Sequence, residues 1–219
     1  MSALRILELE IGDDADAWRA AGFTVAADGT AQVGSVRIRL VGALGERGIR
    51  RWTISGVDDS DSLDGLPTTV VDPHAAPDAP AAPVAGGSHA NTVTLLDHVV
   101  IATPDIDRTV GAFVALGCVP RRERIGGSAA APLRQVFLRA GEVVLEIVGP
   151  PAPPEGDDER ARPATFWGLA FTATDLETSA ALLGTSLGAI RDAVQSGRRI
   201  TTLRHEPLGL SVPTALMSP

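Results

Sequence analysis

In the segment LLDHVVIATPDIDRTVGAFVALG, from Leu95 to Gly117, one histidine, His98, stands among residues that otherwise read as buried strand. Farther along, GEVVLEIVG places Glu146 in an equally apolar setting. An imidazole and a carboxylate in such places can do two kinds of chemistry. The carboxylate can orient the ring and raise its basicity, leaving a general base for proton abstraction beside a carbonyl. Both groups can also ligate a divalent metal, although a stable catalytic site usually has at least three protein ligands. A third reading is purely structural: a histidine satisfied by a neighbouring carboxylate, fixing the geometry of a core.

The remaining reactive inventory is short. All 19 basic residues are arginine and tyrosine is absent, which excludes lysine Schiff bases and tyrosine acid catalysis. The single cysteine, Cys118, can form neither an internal disulfide nor a thiolate cluster, and reads as a small buried hydrophobe. His74 and His89 lie in or beside a proline-rich stretch and are expected to be solvated. His205, in LRHEPLG, precedes a turn and is the remaining histidine that a metal could recruit. A net charge of -8, with RRER at Arg121–Arg124 as the nearest thing to a basic cluster, argues against a nucleic-acid partner. No apolar run reaches the roughly 18 residues of a membrane span, and the amino terminus lacks a basic region followed by an apolar one. A cytoplasmic location is expected, and the lysine-free, alanine- and arginine-rich composition suggests a GC-rich bacterial genome.

The elements that must hold these groups can be read along the chain. TPDIDRTVGAFVALG has a threonine to cap a helix, Pro104 for its first turn and Gly117 for its exit, so Thr103 is the expected cap. VPRRERI, PLRQVFLRA and GEVVLEIVG read as strands, completing a βαβββ order. FWGLAFTATDLETSAALLG repeats the strand-to-helix step, with Thr174 and Glu177 spaced as a capping box. RRITTLR and LGLSVPTAL supply closing strands. DPHAAPDAPAAPVAGGSHAN, from Asp72 to Asn91, reads as a linker, and GPPAPPEGDDERARPA, from Gly149 to Ala164, as a mobile flap or a disordered loop. GSVRIRLVG from Gly34 aligns without gaps on GEVVLEIVG from Gly141, which indicates an internal duplication. The expected division is therefore a degenerate half at residues 1–75, a linker at 76–91, and a domain at 92–219 made of modules 92–150 and 164–219.

LDHVVIATPDIDRTV, VVLEIVGP and GLAFTATDLE resemble the vicinal-oxygen-chelate superfamily, which includes glyoxalases, bleomycin-resistance proteins, extradiol dioxygenases and epimerases. The resemblance implies an α+β fold in which tandem βαβββ modules form a cup-shaped curved sheet, here with a degenerate N-terminal repeat. It also implies metal ligands on the first and last strands of each module. Carried onto this chain, those positions are His98 and Glu146 in one module, but Gly168 and the vicinity of Pro213 in the next, neither of which offers a ligating side chain. In the N-terminal repeat Arg39 aligns with Glu146 and Arg51 with Gly168, which would repel a cation. No cofactor is therefore expected; a metal, if bound, would sit on His98 and Glu146. Period-two counting adds Val100, Val144, Val148, Ala170 and Thr172, with Gly168, as the lining of the cup. Such a lining suits a small, mostly apolar molecule, with lyase or isomerase chemistry at His98 and Glu146. The alternatives are a metal-free sequestering or resistance protein without turnover, and a metal-dependent glyoxalase or dioxygenase. The expected partner is a small-molecule ligand, and a homodimer is compatible with the sequence. Trp18, Trp52 and Trp167 are expected in the core or, for Trp167, at an interface.

Overall fold

The structure is a computed structural model describing residues 4–57, 62–72 and 89–219. The elements run β1 (Arg5–Ile11), α1 (Ala15–Ala20), β2 (Thr30–Val33), β3 (Val36–Leu40), β4 (Ile49–Ser55), β5 (Ser62–Leu63) and β6 (Leu66–Val71). They continue with β7 (Val93–Ala102), α2 (Ile106–Ala115), β8 (Val119–Ser128), β9 (Ala131–Ala140), β10 (Val143–Gly149) and α3 (Asp157–Arg160). The last are β11 (Thr165–Ala173), α4 (Leu176–Leu183), β12 (Arg191–Asp192), β13 (Arg199–Thr202) and β14 (Thr214–Met217). One rule repeats through the chain: the first and last strands of each module are parallel neighbours. β7 lies beside β10, β11 beside β14, β1 beside β3, and β4 beside β6. The fold is α+β and built from βαβββ modules. Its amino-terminal copies are worn: βαββ for β1–β3, and β4–β6 with no helix among the described residues.

The chain divides into two compact units that do not follow the sequence order. One comprises Met1–Ile6, Arg51–Ala76 and His98–Trp167, and the other Leu7–Arg50, Pro77–Asp97 and Gly168–Pro219. Each unit thus takes material from both the amino-terminal repeat and the later modules. Most of the expected linker, residues 76–88, lies outside the described residues, as does His74.

In the first unit β10 is flanked by β7 and β9, and β8 lies beyond β9. One face of these strands has an apolar centre: Val99, Ile101, Val136, Leu138, Leu145 and Ile147 are all buried. Helix α2 covers it, as Arg134 on that side of β9 pairs with Asp107 of α2 at 2.8 Å. Phe113 of α2 meets Trp52 edge-on at 6.0 Å, and Trp52 meets Phe166 at 5.1 Å. Burying aromatic side chains of this size contributes about 1.5–3 kcal/mol each. The start of α2 differs from the expectation. Asp105, two residues after Thr103, caps it by accepting from Arg108 N at 3.0 Å, while Thr103 Oγ1 accepts from Asp105 N at 3.2 Å and so shapes the entry. In the same way Asp175 caps α4 in place of Thr174, accepting from Thr178 N at 2.9 Å. A carboxylate one or two residues nearer the helix reaches the free N–H groups and the positive end of the dipole.

The segment expected to be a flap or disordered is pinned. It holds α3, and Arg108 of α2 reaches both carbonyl groups at Arg160 and Arg162 while its Nε donates to Asp64 at 2.7 Å. Arg160 pairs with Asp105 at 2.8 Å, and Ala164 N donates to Asp64 O at 2.9 Å. Gly65, at φ +88°, lets the β5–β6 turn lie against Pro163, where any Cβ would clash. Proline-rich composition hid this order because its partners, Asp64 and Arg108, lie far away in sequence.

In the second unit β2, β3 and β1 form one ladder and β12, β13, β14 and β11 another. Trp18, Phe23 and Phe171 form its aromatic core, with centroids 4.8 to 6.3 Å apart. Asp13 is completely buried, accepting from Trp18 Nε1 at 3.1 Å, Arg47 at 2.9 Å and Ser211 N at 3.0 Å. His89, expected to be solvated, is 6% exposed. It accepts at Nδ1 from Thr24 N at 3.0 Å, and its Nε2 lies 3.0 Å from Gln32 O. Trp167 is exposed, unlike Trp18 and Trp52. No helix among the described residues is long and apolar enough to cross a membrane.

Candidate functional site

The face of β7–β10–β9–β8 turned away from α2 follows from the register. His98 pairs with Val144, and Val100 with Glu146. Glu146 then pairs with Phe137, Val144 with Arg139 and Val148 with Gln135. Paired residues share a face, so these side chains rise together from one side of the sheet. His98 Nε2 lies 3.2 Å from Glu146 Oε2, and both side chains are largely buried. Gln135 Nε2 donates to the other oxygen, Glu146 Oε1. A carboxylate gripped from both sides cannot rotate, so it fixes the plane and direction of the imidazole. Val100 and Val148 are buried beside the pair and Val144 half-buried, giving the site an apolar floor.

The outer strands add groups that counting on first and last strands does not reach. Phe137, Gln135 and Arg139 come from β9. On β8 the pairing is Pro120 with Leu138 but Arg122 with Phe137, so a β-bulge at Arg121 reverses the phase of the strand. Arg122 and Arg124 therefore rise on the His98 face, whereas Glu123 turns to the helix side and binds Arg134 at 2.8 Å. Arg124 lies over the Phe137 ring, its Cζ 5.9 Å from the centroid. The alternation in RQVFLRA could have signalled the β9 residues; nothing in RRER signals the bulge.

The other expected lining residues belong to the second unit. Gly168 and Ala170 are buried on β11, and Thr172 Oγ1 donates to Asp97 at 3.1 Å, where Arg198 also binds at 2.6 Å. The equivalence of His98 and Gly168 is supported by the caps, since each precedes its helix-capping aspartate, Asp105 or Asp175, by the same spacing. A Cβ on Gly168 would stand 2.9 Å from Pro213 O, so backbone fills the place of a side chain. The β11–β14 register sets Ala170 opposite Ala215, which puts Ala215, and not Pro213, in the position of Glu146. Alanine also lacks a donor. Among the described residues no three His, Cys, Asp or Glu side chains gather in a metal-holding group. His98 and Glu146 are thus two ligands without the other module's pair, and this set does not fit the metal site that the fold implies.

The amino-terminal copy carries the same contact with its charges exchanged. Glu8 pairs with Arg37 and Glu10 with Arg39, so Glu8 holds the register position of His98 and Arg39 that of Glu146. Arg39 Nε donates to Glu8 at 3.0 Å and the guanidinium also binds Glu10. These carboxylates push the Arg39 pKa upward.

Residues 97–189 match the family model described as the glyoxalase/bleomycin resistance protein/dioxygenase superfamily. A mutant of 4-hydroxymandelate synthase from Streptomyces coelicolor has the same fold over the whole chain, at TM-score 0.64 and 15% identity, covering 100% of this chain and 93% of that one. The family match thus covers residues 97–189, and beyond them the likeness is one of fold. A xylose isomerase-like TIM barrel/4-hydroxyphenylpyruvate dioxygenase fusion protein is similar at TM-score 0.62 and 13% identity, over 99% of this chain. The chain spans about half of that protein, 49% of its length. At such identities the likeness establishes the fold and not the reaction. No curated protein matches the chain.

Proposed function

We propose that this protein is a vicinal-oxygen-chelate superfamily member that binds a small, largely apolar molecule on the His98 face and moves a proton on it, as an isomerase or lyase without a metal. The observation that carries the reading is the Glu146 carboxylate held by Gln135 on one oxygen and facing His98 Nε2 at 3.2 Å on the other. That arrangement presents one fixed imidazole beside Val100, Val144 and Val148, where a carbon acid next to a carbonyl could be deprotonated and reprotonated. A positioned base of this kind contributes about 10²–10⁴-fold to rate. Binding without turnover is the second reading, favoured by the same observation, because a carboxylate satisfied on both oxygens also suits a purely structural role.

The experiment is a thermal-shift screen of carbonyl compounds, followed by deuterium incorporation from D₂O into the hits. His98→Ala should abolish exchange while leaving a folded protein, Glu146→Gln should slow it, and chelator should change neither exchange nor Tm. Hits without exchange would favour the sequestering reading. Exchange that dies in chelator would restore the metal-dependent one.

A further inference from the structure

The arginines on β8 and β9 form a feature that proton transfer at His98 does not use. Most arginines of this acidic chain face carboxylates: Arg37 and Arg39 face Glu8, Arg47 faces Asp13, Arg108 faces Asp64, and Arg134 faces Glu123 and Asp107. Arg122, Arg124 and Arg139 have no carboxylate partner among the described residues, yet the register sets all of them on the His98 face. Arg124 is the most telling. Its Nε is buried and donates to nothing, while its side chain is braced on the Phe137 ring. A buried N–H without an acceptor is rare, and one on a pre-placed guanidinium fork matches the geometry of an oxyanion.

We propose that Arg124, with Arg122 and Arg139, forms a subsite for a carboxylate or phosphate group carried by the ligand. The proposal rests on the reading that the ligand lies on this face. The backbones of β8 and β10 are about two strand spacings apart, roughly 10 Å, so the anion is held at one end of an extended ligand and the reacting carbon at the other, near His98. The apolar floor of Val144 and Phe137 lies between them. Such a ligand is an organic acid or phosphate ester with an apolar middle, not a wholly apolar compound. In a chain of net charge -8 this fringe also selects anions against the background field.

The test uses the full chain labelled with ¹⁵N-arginine, titrated with malonate and, separately, with inorganic phosphate at constant ionic strength, following the arginine Nε–Hε resonances. The Arg124 signal, assigned by its absence in Arg124→Lys and Arg124→Gln, should move saturably with at least one probe and not with chloride. The stronger probe identifies the carboxylate or phosphate source. The double variant Arg122→Gln/Arg139→Gln should weaken binding about tenfold or more. His98→Ala should leave malonate and phosphate binding intact, so that loss of proton transfer and loss of the anion subsite are separate results. Arg124→Lys keeps the charge without the fork and serves if Arg124→Gln does not fold. Linear, unsaturable shifts, or saturable binding undiminished in the double variant, would overturn the proposal.

Discussion

Replacing His89 by glutamine tests how the structure uses a histidine that its sequence context disguises. Because Nδ1 accepts from Thr24 N, the ring proton must be on Nε2, directed at Gln32 O, so the neutral ring satisfies both neighbours at once. A second proton would have to enter at Nδ1 against an N–H. Burial lowers the His89 pKa, the carbonyl contact at Gln32 opposing it in part. The sign follows by linkage: the unfolded chain takes up the proton more readily than the folded one. The contribution is therefore complete above the ordinary histidine range, about pH 6.5, and is lost as pH falls through it. His89→Gln keeps some hydrogen bonding but loses the ring edge packed 5.3 Å from Phe23. Loss of that packing and of one well-placed hydrogen bond amounts to about 2–4 kcal/mol at pH 7. Urea unfolding of both proteins between pH 7.5 and 5 is the assay. The difference in stability should shrink steadily on acidification, since only the native protein has this proton to exclude. A difference that stays constant, or grows, would refute the tautomer and the buried setting together.

Cys118 is 4% exposed and burial raises its pKa to about 11, so it should resist thiol reagents at pH 8 in the native protein and react fully in denaturant. Gly168→Ala should destabilise by about 1–3 kcal/mol in a thermal melt, because the added Cβ meets Pro213 O at 2.9 Å; Gly168→His should be worse and should not create a metal site by isothermal titration with zinc. Asp64→Ala removes the acceptor of Arg108 and Thr109. It should lower stability by about 2–3 kcal/mol and open residues 150–164 to limited proteolysis, whereas cleavage unchanged from the native protein would show that α3 is held by other contacts.

The module grammar is legible in the residues alone. Strands and helices at β7–α2–β8–β9–β10 follow from alternation, helix periodicity and turn residues, all of which act over a few neighbours. The ungapped match of GSVRIRLVG to GEVVLEIVG likewise indicates the worn repeat, which the structure shows as a parallel first-and-last strand pair. His98 and Glu146 could be singled out because a polar side chain in an apolar strand must find a partner, whatever the fold. The resemblance already set His98 and Glu146 together; what else grips the carboxylate, and what surrounds the pair, follows from the packing of distant strands. Gln135 grips Glu146 only because β9 lies beside β10 in one particular register. The bulge at Arg121 adds one residue to β8, and since side chains alternate with period two, that single residue exchanges Arg121 and Glu123 for Arg122 and Arg124 on the site face. The same reason explains His89 and the pinned 150–164 segment. Their neighbours read as loop because the groups that order them, Thr24 and Gln32 in one case and Asp64 and Arg108 in the other, are brought near by packing and not by sequence.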